Sequence, residues 1–264
     1  MTGPVRPALA AFVAGVLLLL HLPVAVLVAF SFNRSRFSTV WTGLTLDWYR
    51  QLLERDDLRR ALGRSIVVGA AATAIAIVAG TLLALALARH RLRGRQAIET
   101  ALYAPVVTPE IVIGVSLLMF FALVGFPLGL GTIVLAHATF CLPFVVIVML
   151  ARLAGMDRSL EEAAMALGAN ELSAFRRVTL PQLAPGIVAA ALLAFTLSFD
   201  DFVITSFVAG PGSSTLPMVV YSMVRRNVDP TVNAISAIVV VATTGLALVA
   251  NRLTRPTGAA NEPR

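Results

Sequence analysis

The chain has 264 residues, 58% of them apolar and only 13% charged, with a net charge of +7. Soluble domains carry about a quarter charged residues, so this composition excludes a water-soluble globular fold and points to a helical membrane protein of about six spans with no sizeable soluble domain. The basic excess is entirely arginine and Cys141 is the single cysteine, which rules out a Walker A phosphate loop, a lysine Schiff base, an internal disulfide and a cysteine-based metal cluster.

The first apolar run, Ala8–Phe30, is longer than the ~7–15 residues of a signal-peptide core and no small-x-small cleavage site follows it, so it reads as a retained first span. The connection 32–64 is rich in arginine and contains Trp41, Trp48 and Tyr49, residue types that gather at bilayer interfaces. Tyr49, Leu52 and Leu53 share one helical face, which predicts one or two short interfacial helices and a surface that a partner could use. Ser65–Ala88 is the second span and runs into Arg89, Arg91, Arg93 and Arg95. In the third, Ala101–Leu123, Pro105 and Pro109 predict a kink or break just before Glu110, a carboxyl at membrane depth. The fourth, Thr132–Leu153, carries His137 and Cys141. A polar segment, 155–181, separates it from the fifth, Pro185–Val208, which holds Asp200 and Asp201. A turn at Gly210-Pro211-Gly212, an amphipathic helix over Leu216–Arg226 and the pair Asp229-Pro230 lead into the sixth, Val232–Arg252. Arginines after the second span, in the polar segment (Arg152, Arg158, Arg176, Arg177) and in the tail (Arg252, Arg255) assign those loops and both termini to the cytoplasm. The 32–64 segment runs against the arginine rule, which long loops follow poorly. His21, His90 and His137 lack metal-ligand spacing.

Glu161–Pro185 reads EEAAMALGANELSAFRRVTLPQLAP. Ser159 and Glu162 have capping-box spacing, and Glu161 and Glu162 put negative charge on the positive end of the helix dipole. Ala163–Leu167 are good helix formers, and Gly168 can take the left-handed conformation that stops a helix. A second short helix, Glu171–Val178, is expected to end before Pro181. The product is a tight elbow of two short helices, pinned by spans at both ends and narrow enough, through its alanines, to enter a groove on a partner. A DNA-binding helix-turn-helix has a similar outline, but membrane flanks on both sides leave no room for its supporting helix.

The spacing Glu162-Ala163-Ala164, three residues, Gly168, nine residues, Val178-x-Leu180-Pro181 resembles the EAA loop of ABC importer permeases, the segment that docks on the ATPase. SFNRSRF at Ser31–Phe37, HATFCLPFVV at His137–Val146, FTLSFDDFVITSFVAGPGSSTLPM at Phe195–Met218 and PTVNA at Pro230–Ala234 are similar to the second permease subunit of spermidine/putrescine importers. The resemblance runs roughly from Ser31 to Val249. It implies an all-α polytopic fold of the type I importer permease kind over 1–264, with six transmembrane helices and a cytoplasmic coupling helix. It implies a non-catalytic subunit of the bacterial inner membrane, paired with a second related permease, two ATPase subunits and a periplasmic substrate-binding protein. ATP and magnesium would sit on the ATPase, with no cofactor on this chain and no nucleic-acid partner. The residues it assigns to ATPase docking are Glu161, Glu162, Ala163, Ala164, Gly168, Leu180 and Pro181. Permeases for iron, sulfate or thiamine share the EAA loop and stay open as alternatives; a standalone channel or secondary transporter needs no such loop.

A polyamine cargo needs carboxylates spaced along a route with apolar or aromatic surface between them. Glu110, Asp200 and Asp201 are the candidate charges, since carboxylates at membrane depth are functional candidates by default. Phe195, Phe199 and Tyr221 are candidate cation–π faces. Successive residues on a helix point ~100° apart, so one aspartate faces a given cavity while the other pairs with an arginine or caps a helix. An intramembrane aspartyl protease is excluded, because its two carboxylates must oppose one another from separate helices.

Overall fold

Where water is absent, every backbone group must be satisfied within the chain, and a helix does this segment by segment. The computed structural model describes residues 7–35, 40–90, 92–226 and 230–254. Arg36, Phe37, Arg91, Asp229 and Arg255, named above, lie outside these. In chain order the elements are α1 (Pro7–Phe30), α2 (Asp47–Glu54), α3 (Asp56–Arg89), α4 (Arg95–Val107), α5 (Glu110–Leu123), α6 (Leu130–Ala154), α7 (Ser159–Ala166), α8 (Glu171–Ala174), a π-helical turn (Phe175–Thr179), α9 (Leu180–Asp200), α10 (Val203–Val208), α11 (Leu216–Arg226) and α12 (Thr231–Thr254). Among the described residues the only β pairing is an isolated bridge, Asn33 to Leu44. The chain divides into two compact units: Met1–Arg60 with Val219–Thr243, and Ala61–Met218 with Thr244–Arg264.

In the first unit, no residue of the apolar stretch Leu9–Phe30 of α1 is buried by this chain. The segment after it is ordered by Asn33. The Asn33 amide donates to the Val40 carbonyl at 2.8 Å, its Oδ1 accepts the Thr42 N–H at 3.0 Å, and its carbonyl accepts the Trp48 indole N–H at 2.7 Å. α2 is the expected amphipathic helix, but it buries Trp48 and Leu52, and Leu53 points away, 79% exposed. The predicted face Tyr49–Leu52–Leu53 is thus rotated by one residue, because the indole must reach Asn33.

In the second unit, α6 lies at the centre. Ile133, Ala136, Cys141, Val145 and Met149 of α6 pack with Leu183, Ala190 and Ala194 of α9, and with Val68, Ala76, Ala84 and Leu87 of α3. Small residues on α3 permit close approach. A Cβ on Gly80 would lie 2.7 Å from Val145, and one on Gly69 would lie 3.0 Å from Phe195. α10 packs on α5 in the same way, where a Cβ on Gly114 would meet Phe207 at 2.5 Å. The connection after α10 is pressed against the start of α6: Thr132 donates to the Val208 carbonyl at 2.7 Å, and Gly210 leaves no room for a side chain over Leu128. α11 coincides with the predicted amphipathic helix.

Among the described residues, four helical stretches are long and apolar enough to cross a membrane: Leu9–Phe30, Asp56–Arg89, Leu130–Ala154 and Glu171–Asp200. Three expected boundaries are corrected. The second predicted span begins at Asp56, so α3 has 34 residues, about 51 Å of helix. The third begins at Arg95 rather than Ala101, and the break expected before Glu110 is there: α4 and α5 are bent by 114°. Thr108 takes the extended conformation (ψ 133°) that a following proline favours. The fifth is not one helix to Val208: it stops at Asp200 and restarts as α10. α12 has 24 residues, Thr231–Thr254.

Candidate functional site

The elbow between α6 and α9 is built by local rules. α7 ends in the six-residue hydrogen-bond closure that a left-handed residue allows: Gly168 has φ +94°, its N–H bonds the Met165 carbonyl at 2.9 Å, and the Ala169 N–H bonds that of Ala164 at 3.1 Å. The predicted capping box is not formed. Arg158 occupies the N-cap position without a side-chain cap, and Asp157 accepts the Ser159 N–H at 2.9 Å instead. That N–H, and then the Ser159 hydroxyl, hold the Asp157 carboxyl below the usual range. α8 is capped by Asn170, whose Oδ1 accepts the Ser173 N–H at 2.8 Å. The second helix does not end before Pro181 as expected. It passes through the π-helical turn, in which the Leu180 N–H reaches the Phe175 carbonyl, and continues unbroken to Asp200. The wider turn absorbs the proline: Pro181 has no N–H to offer, and its ring needs room at the carbonyl four residues back.

Consecutive glutamates in α7 point in different directions. Glu162 and Ala163 are exposed, Ala164 is half-buried, and Leu167 is 90% exposed. Glu161 turns inward. Arg89, the last residue of α3, donates Nη1 to Glu161 Oε1 at 2.9 Å and Nη2 to Oε2, while the Thr179 hydroxyl donates to Oε2 at 2.7 Å. Burial pushes the Glu161 carboxyl up, but the bonds from Thr179 and Arg89 and the Arg89 charge outweigh it and leave the group below the ordinary range. A second arginine, Arg152 at the end of α6, donates Nε and Nη2 to the Gln182 carbonyl at 2.9 and 2.6 Å. Its stem fills the space over Gly186, where a Cβ would approach to 2.8 Å. Leu180 is 39% exposed and Pro181 is exposed beside it.

At the other end of α9 the two aspartates separate in role. Asp201 is buried and its carboxylate caps α10: Oδ1 accepts the Thr205 N–H at 2.8 Å and hydroxyl at 2.9 Å, and Oδ2 accepts the Ile204 N–H at 3.4 Å. Its ionisable neighbour is His137 of α6, not an arginine, with Nε2 at 3.2 Å from Oδ1. The His137 ring also meets Ser198 at 2.7 Å through Nδ1 and Thr205 at 2.9 Å through Nε2. Four polar residues from α6, α9 and α10 thereby satisfy one another inside an apolar core, the condition for burying a carboxylate at all. Asp200, one residue earlier, is exposed. On the same helix Phe195 and Phe199 stack with centroids 5.7 Å apart. Glu110 is exposed at the first turn of α5, beside the α4–α5 break. Tyr221, in the other unit, already carries a cation: the Arg225 guanidinium lies 5.4 Å from its ring centroid.

The arrangement resembles known proteins over nearly its whole length. The chain is 45% identical over 227 residues to the putrescine transport system permease protein PotI of Escherichia coli (strain K12), which covers 83% of this chain and 81% of that protein. It is 40% identical over 245 residues to the spermidine/putrescine transport system permease protein PotC of Haemophilus influenzae, with 93% and 95% covered. Its fold matches a crystal structure of a bacterial ABC transporter involved in import of the acidic polysaccharide alginate with a TM-score of 0.75 at 16% identity, over 96% of this chain and 99% of that one. An amino acid ABC transporter crystallised with histidines matches with a TM-score of 0.61 at 20% identity, over 80% and 99%. The fold is therefore that of the type I ABC importer permeases, as the sequence implied. Residues 66–255 fit the family model of the binding-protein-dependent transport system inner membrane component, and the chain belongs to that family.

Proposed function

We propose that this chain is one of two related membrane subunits of an ATP-driven importer whose cargo is a polyamine, putrescine or spermidine. The observation that carries the first half is the two-sided elbow. Glu162, Ala163, Leu167 and the Gly168 turn face outward, while the opposite side is tied to α3 and α9. That is the form of a part that is gripped by one body and moves another. In this reading two ATPase subunits hold ATP and its magnesium and dock on Glu162, Ala163, Ala164 and Gly168 within the loop 155–181, with Leu180 and Pro181 at its end. A periplasmic substrate-binding protein delivers the cargo. The elbow and both termini are cytoplasmic, and the chain has no reaction chemistry or cofactor of its own. Six spans, α1, α3, α4–α5, α6, α9–α10 and α12, form a single transmembrane domain. Closure of the ATPase pair displaces the elbow and turns the cavity from inward- to outward-facing.

The cargo rests on the names of the relatives and on charge. The C-terminal end of a helix carries about half a negative charge, and α9 ends at Asp200, itself exposed. The opposing positive end of α10 is offset by Asp201. The uncompensated sign at the break is negative, and the faces of Phe195 and Phe199 lie beside it, a combination suited to an ammonium group. Asp200 and Glu110 are the pathway carboxylates in this reading, and Asp201 acts by holding the break in shape.

The test is uptake of labelled putrescine by vesicles that carry the complete complex, with spermidine, iron, sulfate and thiamine as competitors. Uptake that requires ATP and is blocked by spermidine supports the proposal, and Asp200→Asn lowers it with the ATPase still assembled. Uptake without ATP would make the assembly a channel or secondary transporter. ATP-dependent uptake of iron, sulfate or thiamine with polyamines inert would replace the cargo.

A further inference from the structure

We infer that Glu161 is not a docking residue: Arg89, Glu161 and Thr179 are positioning residues that form a transmission joint, passing displacement of α7 to α3 and α9. The inference rests on the proposed gripping of the elbow and adds how the grip reaches the spans. Three separate elements meet at one carboxylate. The end of α3 supplies a two-pronged guanidinium, the first turn of α7 supplies Glu161, and the π-helical turn that leads into α9 supplies Thr179. Residues 89 and 161 are 72 positions apart in sequence, so nothing but the fold brings them together. The side chains of Arg89 and Glu161 are only 24% and 20% exposed, and Thr179 is 1% exposed, which leaves the Glu161 carboxylate little surface to offer a partner protein.

The geometry also separates grip from transmission. Glu162 follows Glu161 and faces out, as does Leu167, so an ATPase can hold α7 without touching the joint. A bidentate arginine–carboxylate pair resists bending as well as stretching, which is what a joint that passes on direction requires. Beside it lies a cavity of about 70 Å³, lined by Arg89, Met156, Arg158, Glu161 and Thr179, room into which the joint can shift without overpacking. The Arg152–Gln182 link ties α6 to α9 alone and does not touch α7, so it cannot substitute.

The test uses the complete complex in lipid vesicles. ATP hydrolysis, polyamine uptake and crosslinking from Leu167→Cys to the ATPase are measured on the same preparations. In Glu161→Gln and Arg89→Gln, hydrolysis and the Leu167→Cys crosslink stay within about twofold of the parent while uptake per ATP falls at least fivefold. The exchange Arg89→Glu with Glu161→Arg restores uptake per ATP in large part, which a merely structural surface role would not. Arg89→Lys and Thr179→Val, milder changes that keep the loop intact, give intermediate ratios, and Thr179→Ser behaves as the parent. Unchanged uptake per ATP in Glu161→Gln overturns the inference. So does joint loss of uptake and crosslink, because Glu161 would then be touching the ATPase directly. Absence of the crosslink in the Leu167→Cys parent sinks the gripped-elbow reading itself, a failure distinct from the other two.

Discussion

Gly168 offers a substitution series in which backbone and bulk predict opposite orders. Its φ of +94° belongs to the region that L side chains avoid, and a Cβ built there meets no atom within 4 Å. Steric clash within the chain is thus absent, and the whole penalty for alanine is the left-handed conformation, about 1–2 kcal/mol. That corresponds to a factor of roughly 5–30 in the ratio of closed to open turn. Valine, branched at Cβ, costs more, whereas asparagine enters this region readily. The expected order of function is therefore Gly, then Asn, then Ala, then Val, even though Asn is larger than Ala. The assay is titration of ATPase onto membranes stripped of it, followed by uptake on the same membranes. The apparent affinity should fall by the turn's lost population. Asn falling below Ala would show that size against the ATPase decides, and equal affinity for all three would remove the turn from docking.

Other outcomes follow from packing and charge. His137→Leu takes one partner from the buried Asp201 carboxylate, which keeps its bonds from Thr205 and Ile204, a loss of about 1–3 kcal/mol. Adding Asp201→Asn should recover part of it in thermal unfolding of the detergent-solubilised protein, and simple additivity would mean that the two do not interact. Gly80→Ala forces a methyl against Val145, which is itself fully buried. It should destabilise by about 1–3 kcal/mol, while Gly63→Ala on the same helix, with nothing within 4 Å, should be neutral or slightly stabilising; similar effects at both sites would contradict the packing. Glu161, depressed below its ordinary value of 4.5, stabilises the elbow fully above that value and loses the contribution as pH falls through its lower folded value. Protection of the amides at 159–179, measured against the intrinsic exchange rate at each pH, should hold from pH 7 to about 5 and fall below 4.5. Protection already lost between pH 7 and 5 would show that the Glu161 carboxylate does not carry it.

Much of this was legible from local pattern. The left-handed stop at Gly168, the α4–α5 break at Pro109 and the amphipathic α11 are each dictated by residues within a few positions. What was not legible depends on partners far away or on competition between equal signals. Ser159 and Asp157 are both good caps, and only the structure decides between them. The stretch FDDFVITSF has neither Gly nor Pro to mark the stop after Asp200. The available hint was an aspartate followed four residues on by Thr205, a pattern that can also cap. His137 gave no sign of its role because Ser198, Asp201 and Thr205 lie more than 60 positions away. The motif groups Glu161 with its neighbour, and its inward direction depends on Arg89.

The wide turn at Phe175–Thr179 holds one residue more than a regular helical path requires. Deleting a single residue there would leave the hydrogen-bond ladder from α8 into α9 continuous and, because the wider turn covers nearly the same rotation as a regular turn one residue shorter, would keep elbow and span facing the same way. The turn therefore stores one residue of slack at the root of the elbow without swivelling it, as a spare link lengthens a chain and leaves its direction alone. What the deletion would remove is the clearance for the Pro181 ring at the carbonyl four residues back, so the root of the elbow would lose its fit to that proline while keeping its bearing.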